Sequence, residues 1–96
     1  MALPDPNVET VSVHVTGRVQ GVGYRAFTVR HARLVGAYGW VLNDEDGTVR
    51  AMVQGTPDQV DRMLEFMRRG PPGAFVRELT STPEYIDRRF ARFEQH

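Results

Sequence analysis

A glycine-punctuated segment in the first third of the chain constrains the fold more than any other feature of the sequence. It reads Gly-Arg-Val-Gln-Gly-Val-Gly-Tyr-Arg over residues 17–25 and lies between a strand-like run and a helix-like run. Gly21 and Gly23 let backbone N–H groups approach a ligand closely, and a helix that begins here turns its partly positive end toward the same point. Arg25 adds a planar fork of donors. The segment therefore predicts an anion cradle, with phosphate as the first candidate ligand.

A strand and a helix are expected on the two sides of this loop. Residues 11–16 alternate between valine and polar side chains, which predicts a strand with one apolar and one wet face. Within residues 24–35, Phe27, His31 and Leu34 recur at helical spacing, which predicts a helix with these side chains on its apolar side. The loop thus connects the end of one element to the start of the next.

A second helix has the clearest end signals in the chain. Thr56 is its predicted N-cap, Pro57 occupies the first helical position and Gln59 completes a capping box. Gly70 ends the helix and is followed by two prolines. The remaining predicted elements are strands over residues 38–43, 48–55 and 74–81 and a last edge strand over residues 89–93.

The order of these elements predicts the fold class. An Asp46-Gly47 pair between the second and third strands is typical of a hairpin, so these strands should pair antiparallel. Strands that alternate have one covered face and one open face. We therefore predict an α+β, ferredoxin-like two-layer sandwich, in which two helices cover one face of an antiparallel sheet with an extra C-terminal edge strand. The domain is expected to span residues 8–96, after a flexible lead-in over residues 1–7.

Composition limits the classes of partner and chemistry. The 96 residues carry twelve basic and twelve acidic side chains and no cysteine. Balanced charge argues against general binding to nucleic acid or to a membrane surface, so an anion must be recognised locally. Without cysteine there is no disulfide and no thiolate nucleophile, and three scattered histidines do not suggest a metal site. With neither a signal peptide nor an apolar span, the chain is predicted to be cytoplasmic, and we expect a monomer.

Two known phosphate-binding loops require residues that this loop lacks. A Walker A loop needs lysine and then serine or threonine after its second glycine, whereas Val22 and Gly23 follow Gly21. A dinucleotide fingerprint is matched superficially by Gly21, Gly23 and Ala26, with Asp44 at about the expected distance. That fingerprint belongs to a buried parallel sheet in a doubly wound domain. The alternating first strand and the short chain argue against it.

The loop of the cysteine phosphatases matches in layout but not in chemistry. Its cysteine and arginine flank five residues that wrap a phosphate, and here Val19 and Arg25 occupy those two positions. The cradle is present and the nucleophile is missing. An enzyme of this kind would work by binding and positioning, which suits a substrate that expels a good leaving group. An acyl phosphate, which releases a carboxylate, is such a substrate.

Two segments together closely resemble the signature pair of the acylphosphatase family. They are the nine-residue loop over residues 17–25 and Gly-Trp-Val-Leu-Asn over residues 39–43. The Asp-Gly turn and Gly-Pro-Pro-Gly-Ala-Phe-Val over residues 70–76 match later landmarks of the family, so the resemblance covers residues 11–93. It implies a ferredoxin-like sandwich that hydrolyses acyl phosphates to a carboxylate and inorganic phosphate, without metal or cofactor.

The resemblance also implies roles for individual residues. Arg25 is expected to hold the phosphoryl oxygens, while backbone N–H groups of residues 20–24 complete the cradle. Asn43 is expected to orient the attacking water, because an amide accepts one water proton through its carbonyl oxygen and donates elsewhere. Water would then attack in line while the cradle stabilises charge on the equatorial oxygens. The expected catalytic residues are Arg25 and Asn43, and the expected phosphate-binding residues are Gln20, Gly21, Val22, Gly23, Tyr24 and Arg25.

Some interpretations stay open at the level of sequence. Tyr24 stands where the family usually has phenylalanine. Leu42 replaces a commonly polar or basic residue, and this difference bears on substrate preference. Trp40 is expected to fill the core, His14 to be structural, and His96 to lie in an inert tail.

One rival function is a ferredoxin-like module that binds RNA, a nucleotide or a metabolite, although the first strand offers no aromatic platform. The other is a carbamoyl phosphate domain of a larger enzyme, for which we see no extension that holds the second activity.

Overall fold

Seven elements make up the part of the chain that the structure, a computed structural model, describes, which is residues 7–96. The predicted order is confirmed, and all bounds except those of the last strand agree with the predictions to within two residues. The predicted lead-in lies outside the described residues except for Asn7, and a domain that starts at Val8 stays a prediction. The elements are β1 (Glu9–Arg18), α1 (Tyr24–Val35), β2 (Tyr38–Asn43), β3 (Val49–Gly55), α2 (Pro57–Arg69), β4 (Phe75–Pro83) and β5 (Phe93–Gln95).

The five strands form one sheet in the order β4-β1-β3-β2-β5. β1 pairs antiparallel with both β3 and β4, and β2 pairs antiparallel with β3. β1 and β2 are therefore parallel, with β3 inserted between them, which is the split βαβ arrangement of the ferredoxin-like sandwich. β5 pairs parallel with β2. The sheet is thus mixed, and the prediction of a wholly antiparallel sheet is wrong at this edge.

Both helices pack on one face of the sheet. Inward side chains of β1 and β3 pair across the ladder, as Val13 does with Ala51 and Val15 with Val49. The predicted capping box of α2 is present, since Thr56 Oγ1 accepts from the N–H of Gln59 at 3.2 Å. No helix among residues 7–96 has the length and apolar character that crossing a membrane requires. The predicted apolar stripe of α2 is buried and consists of Val60, Met63, Leu64 and Met67.

The buried side of α1 differs from the predicted one. Its buried residues are Tyr24, Thr28, Val29 and Ala32. Leu34 is 76% exposed, whereas Phe27 and His31 are half-buried and their rings lie 4.1 Å apart. Two of the buried residues carry hydroxyls that the protein itself satisfies, as when Thr28 donates to the carbonyl of Tyr24 at 2.9 Å. A pattern that counts only apolar residues misses such a face, so the prediction was wrong about Leu34.

The Tyr24 hydroxyl ties the start of α1 to the end of α2. It donates to the carbonyl oxygen of Met67 at 2.6 Å. In a continuing helix this carbonyl would accept from the N–H four residues later, but that residue is Pro71, which has none. Tyr24 supplies the donor that this helix end lacks. Burial also raises the pKa of Tyr24 well above its ordinary value, because the phenolate would be desolvated.

Replacing Tyr24 with phenylalanine is expected to lower the free energy of unfolding by about 1 kcal/mol near neutral pH, because the Met67 carbonyl loses this donor. The raised pKa adds a pH signature. Above about pH 10 the unfolded chain ionises this tyrosine while the folded protein keeps it protonated, so its stabilising contribution declines there and is full below. Urea unfolding as a function of pH measures both effects.

The control for this prediction is Tyr85→Phe, because the Tyr85 side chain is 96% exposed. The Tyr85 variant should match the wild type near neutral pH. Tyr24→Phe should be less stable there and should lose less stability than the wild type as the pH rises past about 10. If Tyr24→Phe and the wild type declined equally at high pH, the buried hydroxyl would not carry this contribution.

Residues 84–92 connect β4, at one edge of the sheet, to β5, at the other edge. The amide of Gln54, near the end of β3, holds this segment. Its Nε2 donates to the carbonyl of Arg88 at 2.8 Å and its Oε1 accepts from the N–H of Phe90 at 2.9 Å. Because the backbone is tied to a side chain here, the edge strand predicted over residues 89–93 is wrong in position. The strand forms further along, at Phe93–Gln95.

Candidate active site

The loop between β1 and α1 adopts a conformation that its glycines allow. Gly21 and Gly23 have φ values of +74° and +78°, in the left-handed region that other residues disfavour. A Cβ added at either position would meet no heavy atom within 4 Å. The glycines are therefore required for the backbone conformation and not for close packing. Their side of the loop stays open for a ligand.

The backbone N–H groups of residues 20–24 are the donors that the loop offers to a ligand. Within residues 7–96 none of them donates to a backbone or side-chain acceptor, and the first helical bond runs from the N–H of Phe27 to the carbonyl of Gly23 at 3.0 Å. The start of α1 has no side-chain cap and no acidic residue in its first turn. Helix ends of this kind are satisfied by water or by a ligand, and the helix dipole favours an anion.

The side chains of the cradle anchor it, while its backbone faces the open side. Val19, at the position of the phosphatase cysteine, is 1% exposed and belongs to the core. Val22 packs against that core, and Tyr24 is buried within it. The predicted binding residues Val22 and Tyr24 can therefore contribute only through their N–H groups. Among the residues that the structure describes, no cluster of three or more histidine or carboxylate side chains could hold a metal ion.

Gln20 fastens the cradle to the β2–β3 hairpin. Its Nε2 donates to the carbonyls of Asp44 at 2.8 Å and Thr48 at 2.9 Å. Asp44 directly follows Asn43, and Thr48 directly precedes Val49, the residue that pairs with Asn43 across the ladder. One side-chain amide therefore holds the cradle beside the end of β2. The sequence predicted a backbone role for Gln20 and missed this contact of its side chain.

Asn43 is the last residue of β2 and lies where the cradle meets the hairpin. Residues that pair across an antiparallel ladder share a face, so its side chain lies on the same face as the buried Val49. Its Oδ1 is buried and has no hydrogen-bond partner within residues 7–96. Buried amide oxygens are nearly always paired. This atom is therefore free to accept a hydrogen bond from water or from a ligand.

Arg25 lies half-buried in the first turn of α1 and is held by the backbone of His96. Its Nη1 donates to the backbone oxygen of His96 at 2.7 Å. The N–H of His96 donates in turn to the carbonyl of Val41 at 2.8 Å, two residues before Asn43. Two successive hydrogen bonds thus connect Arg25 to β2, the strand that carries Asn43. A guanidinium group has five donors, so this bond leaves others for an anion.

Two predictions about aromatic residues near this site are wrong. Trp40 was predicted to fill the core, but it is half-buried on the open face, because Val41 takes the inward position of β2. His96 was predicted to be inert, but its ring stacks on Trp40 with centroids 5.8 Å apart and planes at 9°. The signal that sequence reasoning missed is the alternation of β2, which assigns Val41 inward and Trp40 outward.

The fold and the site define a class of protein: a ferredoxin-like sandwich with a glycine-rich cradle of backbone N–H groups at the start of its first helix. The family model described as acylphosphatase matches residues 11–95. An acylphosphatase of Bordetella avium is 62% identical over 94 residues, which cover 98% of this chain and 100% of the relative. The chain belongs to the acylphosphatase family. It is a hydrolase that acts on acyl phosphates, and the predicted activity is confirmed.

Solved structures agree with this assignment. The structure of an acylphosphatase from Coxiella burnetii superposes with a TM-score of 0.91 at 27% identity and covers 100% of both chains. That of an acylphosphatase from Bacillus subtilis superposes with a TM-score of 0.89 at 30% identity, covering 92% of this chain and 98% of the other. The predicted ferredoxin-like fold class is thereby confirmed.

Proposed function

We propose that the enzyme hydrolyses the acyl phosphate by metal-free, in-line attack of a water that Asn43 orients, while the cradle and Arg25 hold the phosphoryl group. The observation that carries this proposal is the set of unused N–H groups over residues 20–24, held beside Asn43 by Gln20. Several preorganised donors at one point can stabilise charge that develops on the phosphoryl oxygens. The cradle thereby lowers the barrier without a covalent intermediate.

The water-orienting role of Asn43 is supported by its unpaired oxygen. A water that donates one proton to Oδ1 has a lone pair free for attack on phosphorus. Full removal of that proton before attack is not required, because the leaving carboxylate is a weak base and the transition state is loose. The new bond forms from water oxygen to phosphorus. The bond from phosphorus to the acyl oxygen breaks, and the carboxylate leaves.

The reaction class is tested by comparing two phosphate compounds in the presence of EDTA. Benzoyl phosphate, which releases a carboxylate, should be hydrolysed at least about 10³-fold faster than p-nitrophenyl phosphate, because positioning alone cannot supply the help that a poorer leaving group needs. Release of inorganic phosphate from each substrate measures the rates. Negligible hydrolysis of both compounds would contradict the function. Activity that EDTA removes and added metal restores would contradict the metal-free step.

The monomeric state and the cytoplasmic location belong to the same proposal. All the proposed site residues come from one chain, so the site needs no second copy. The cysteine-free composition suits a reducing compartment as well as any other, and the balanced charge offers no general attraction to membranes or nucleic acid. Sedimentation of the purified protein tests the monomeric state.

A further inference from the structure

A wide cleft of about 840 Å³ opens next to the cradle, and its lining includes none of the cradle residues 20–25. We call it the basic cleft. Arg18, which lines it, leads into the cradle, and Thr48, which also lines it, accepts the hydrogen bond of Gln20 at 2.9 Å. It lies between the end of β1, the β2–β3 turn and the start of β4, and its lining includes Thr16, Arg18, Asp46, Thr48, Phe75 and Arg77.

A local irregularity of the sheet places Arg77 in the wall of the cleft, next to the segment of β1 that carries Arg18. Thr16 pairs with Glu78 and Gly17 with Val76, so Arg77 is an extra residue in β4, a β-bulge. A Cβ at Gly17 would lie 2.1 Å from the carbonyl oxygen of Phe75, and Gly17 has a φ of +118°. Only glycine permits this close approach of β1 to the bulge. The β-bulge in β4 is thus a fixed part of the cleft wall.

The charges of the basic cleft are unbalanced. Within residues 7–96, neither the Arg18 side chain nor the Arg77 side chain has a hydrogen bond or an ion pair, and both residues are exposed. Asp46 is engaged already, because its Oδ1 accepts from the hydroxyl of Thr48 at 2.6 Å and from the N–H of Thr48 at 3.0 Å. These bonds lower the pKa of Asp46 below its ordinary value. Two guanidinium groups are therefore left for a ligand, beside a Phe75 ring that is 65% exposed.

The geometry points to the basic cleft as the binding site for the acyl part of the substrate, with a preference for acyl groups that carry a second anionic group. This inference rests on the proposed function, which places the phosphoryl group in the adjoining cradle. Arg18 and Arg77 bind the second anion, for which their planar donors are suited, and Phe75 contacts the carbon chain between the two groups. The hydrolytic step is unchanged, since both arginines act on the part of the substrate that leaves.

Hydrolysis of succinyl phosphate and butyryl phosphate tests the preference, because these substrates have the same chain length and differ in one carboxylate. The wild type should favour succinyl phosphate by about five-fold or more in kcat/KM, the range expected for two exposed ion pairs. The double variant Arg18→Gln, Arg77→Gln should lose this preference through a higher KM for succinyl phosphate. Its kcat/KM for butyryl phosphate should stay within about two-fold of the wild type.

Arg33→Gln is the matched control, because Arg33 is an exposed arginine in the last turn of α1, at the end away from the cradle. It should leave both substrates unaffected. If the double variant does not fold, each single variant should lose part of the preference. A wild type without preference, or a preference that the variants retain, would overturn the inference.

A binding measurement separates this inference from the proposed function. Calorimetric titration with 5-phosphonopentanoate, which has the same spacing between phosphorus and carboxylate as succinyl phosphate, and with pentylphosphonate needs no turnover. The wild type should bind the carboxylated compound about five-fold more tightly, and the double variant should bind the two equally. If neither acyl phosphate is hydrolysed while this difference holds, the proposed function fails and the basic cleft stands. If the wild type binds the two compounds equally, the inference about the basic cleft is wrong, whether or not the enzyme is active.

Discussion

Replacing Arg25 with alanine is expected to reduce kcat/KM for benzoyl phosphate by about 10³-fold or more, the effect of losing a cation that stabilises a phosphoryl transition state. The same change should weaken inhibition by inorganic phosphate about tenfold or more, because the bound anion loses charge-assisted hydrogen bonds. Initial rates at several phosphate concentrations give both numbers. Activity within about tenfold of the wild type would contradict the role of Arg25.

Two controls separate this role from a structural one. Arg30 is an exposed arginine on the same helix, and Arg30→Ala should leave the rate and the phosphate inhibition unchanged. Arg25→Lys keeps the charge but not the planar fork, so it should recover only part of the lost activity. Because Arg25 also donates to His96, the free energy of unfolding should be measured for each variant. A loss of activity that only follows a loss of folded protein would point to structure.

Replacing Asn43 with alanine is expected to lower kcat by about 10²- to 10³-fold, the usual cost of one positioned polar group. Inhibition by inorganic phosphate should change by no more than about two-fold, because the cradle and Arg25 remain. This split between turnover and phosphate binding identifies a group that acts on the water. Equal losses in both would place Asn43 in phosphate binding, and full activity would remove it from the mechanism.

The free energy of unfolding gives an independent test of the role of Asn43. A buried oxygen without a partner destabilises a protein, so Asn43→Ala should leave the free energy of unfolding unchanged or slightly higher. Asn43→Asp keeps the shape but adds a negative charge, so it should also weaken phosphate inhibition. A large loss of stability in Asn43→Ala would show that its oxygen is paired in the folded protein.

The features predicted well from sequence depend on residues that are close together in the chain. Gly21 and Gly23 are required by positive φ, which is a property of single residues. The capping box joins Thr56 to Gln59, three positions later. The order of strands and helices follows from local periodicity, and the known rules of chain connection then leave few topologies. The proposed pair of Arg25 and Asn43 came from the family resemblance, which records the outcome of folding.

The features predicted badly depend on polar groups that find distant partners. The buried face of α1 includes Tyr24 because a carbonyl in α2 lacks its usual donor next to Pro71. The last strand is displaced because Gln54 holds the segment between β4 and β5 at residues 34 and 36 positions away in sequence. In each case a hydrogen bond overrides an apolar pattern, because a buried polar group left unpaired costs more than a shifted strand or helix face.

The sequence by itself determined the conformation of the cradle and the ends of the helices, because both follow from local backbone preference. The class of reaction followed from the family resemblance of two short motifs. The tertiary structure alone decided what surrounds the cradle. Gln20 reaches carbonyls 24 and 28 residues away, and Arg25 reaches one 71 residues away. Such contacts form only when the sheet brings distant segments to one end. Tertiary packing, and not local preference, therefore holds the end of β2, where Asn43 lies, against the loop through Gln20.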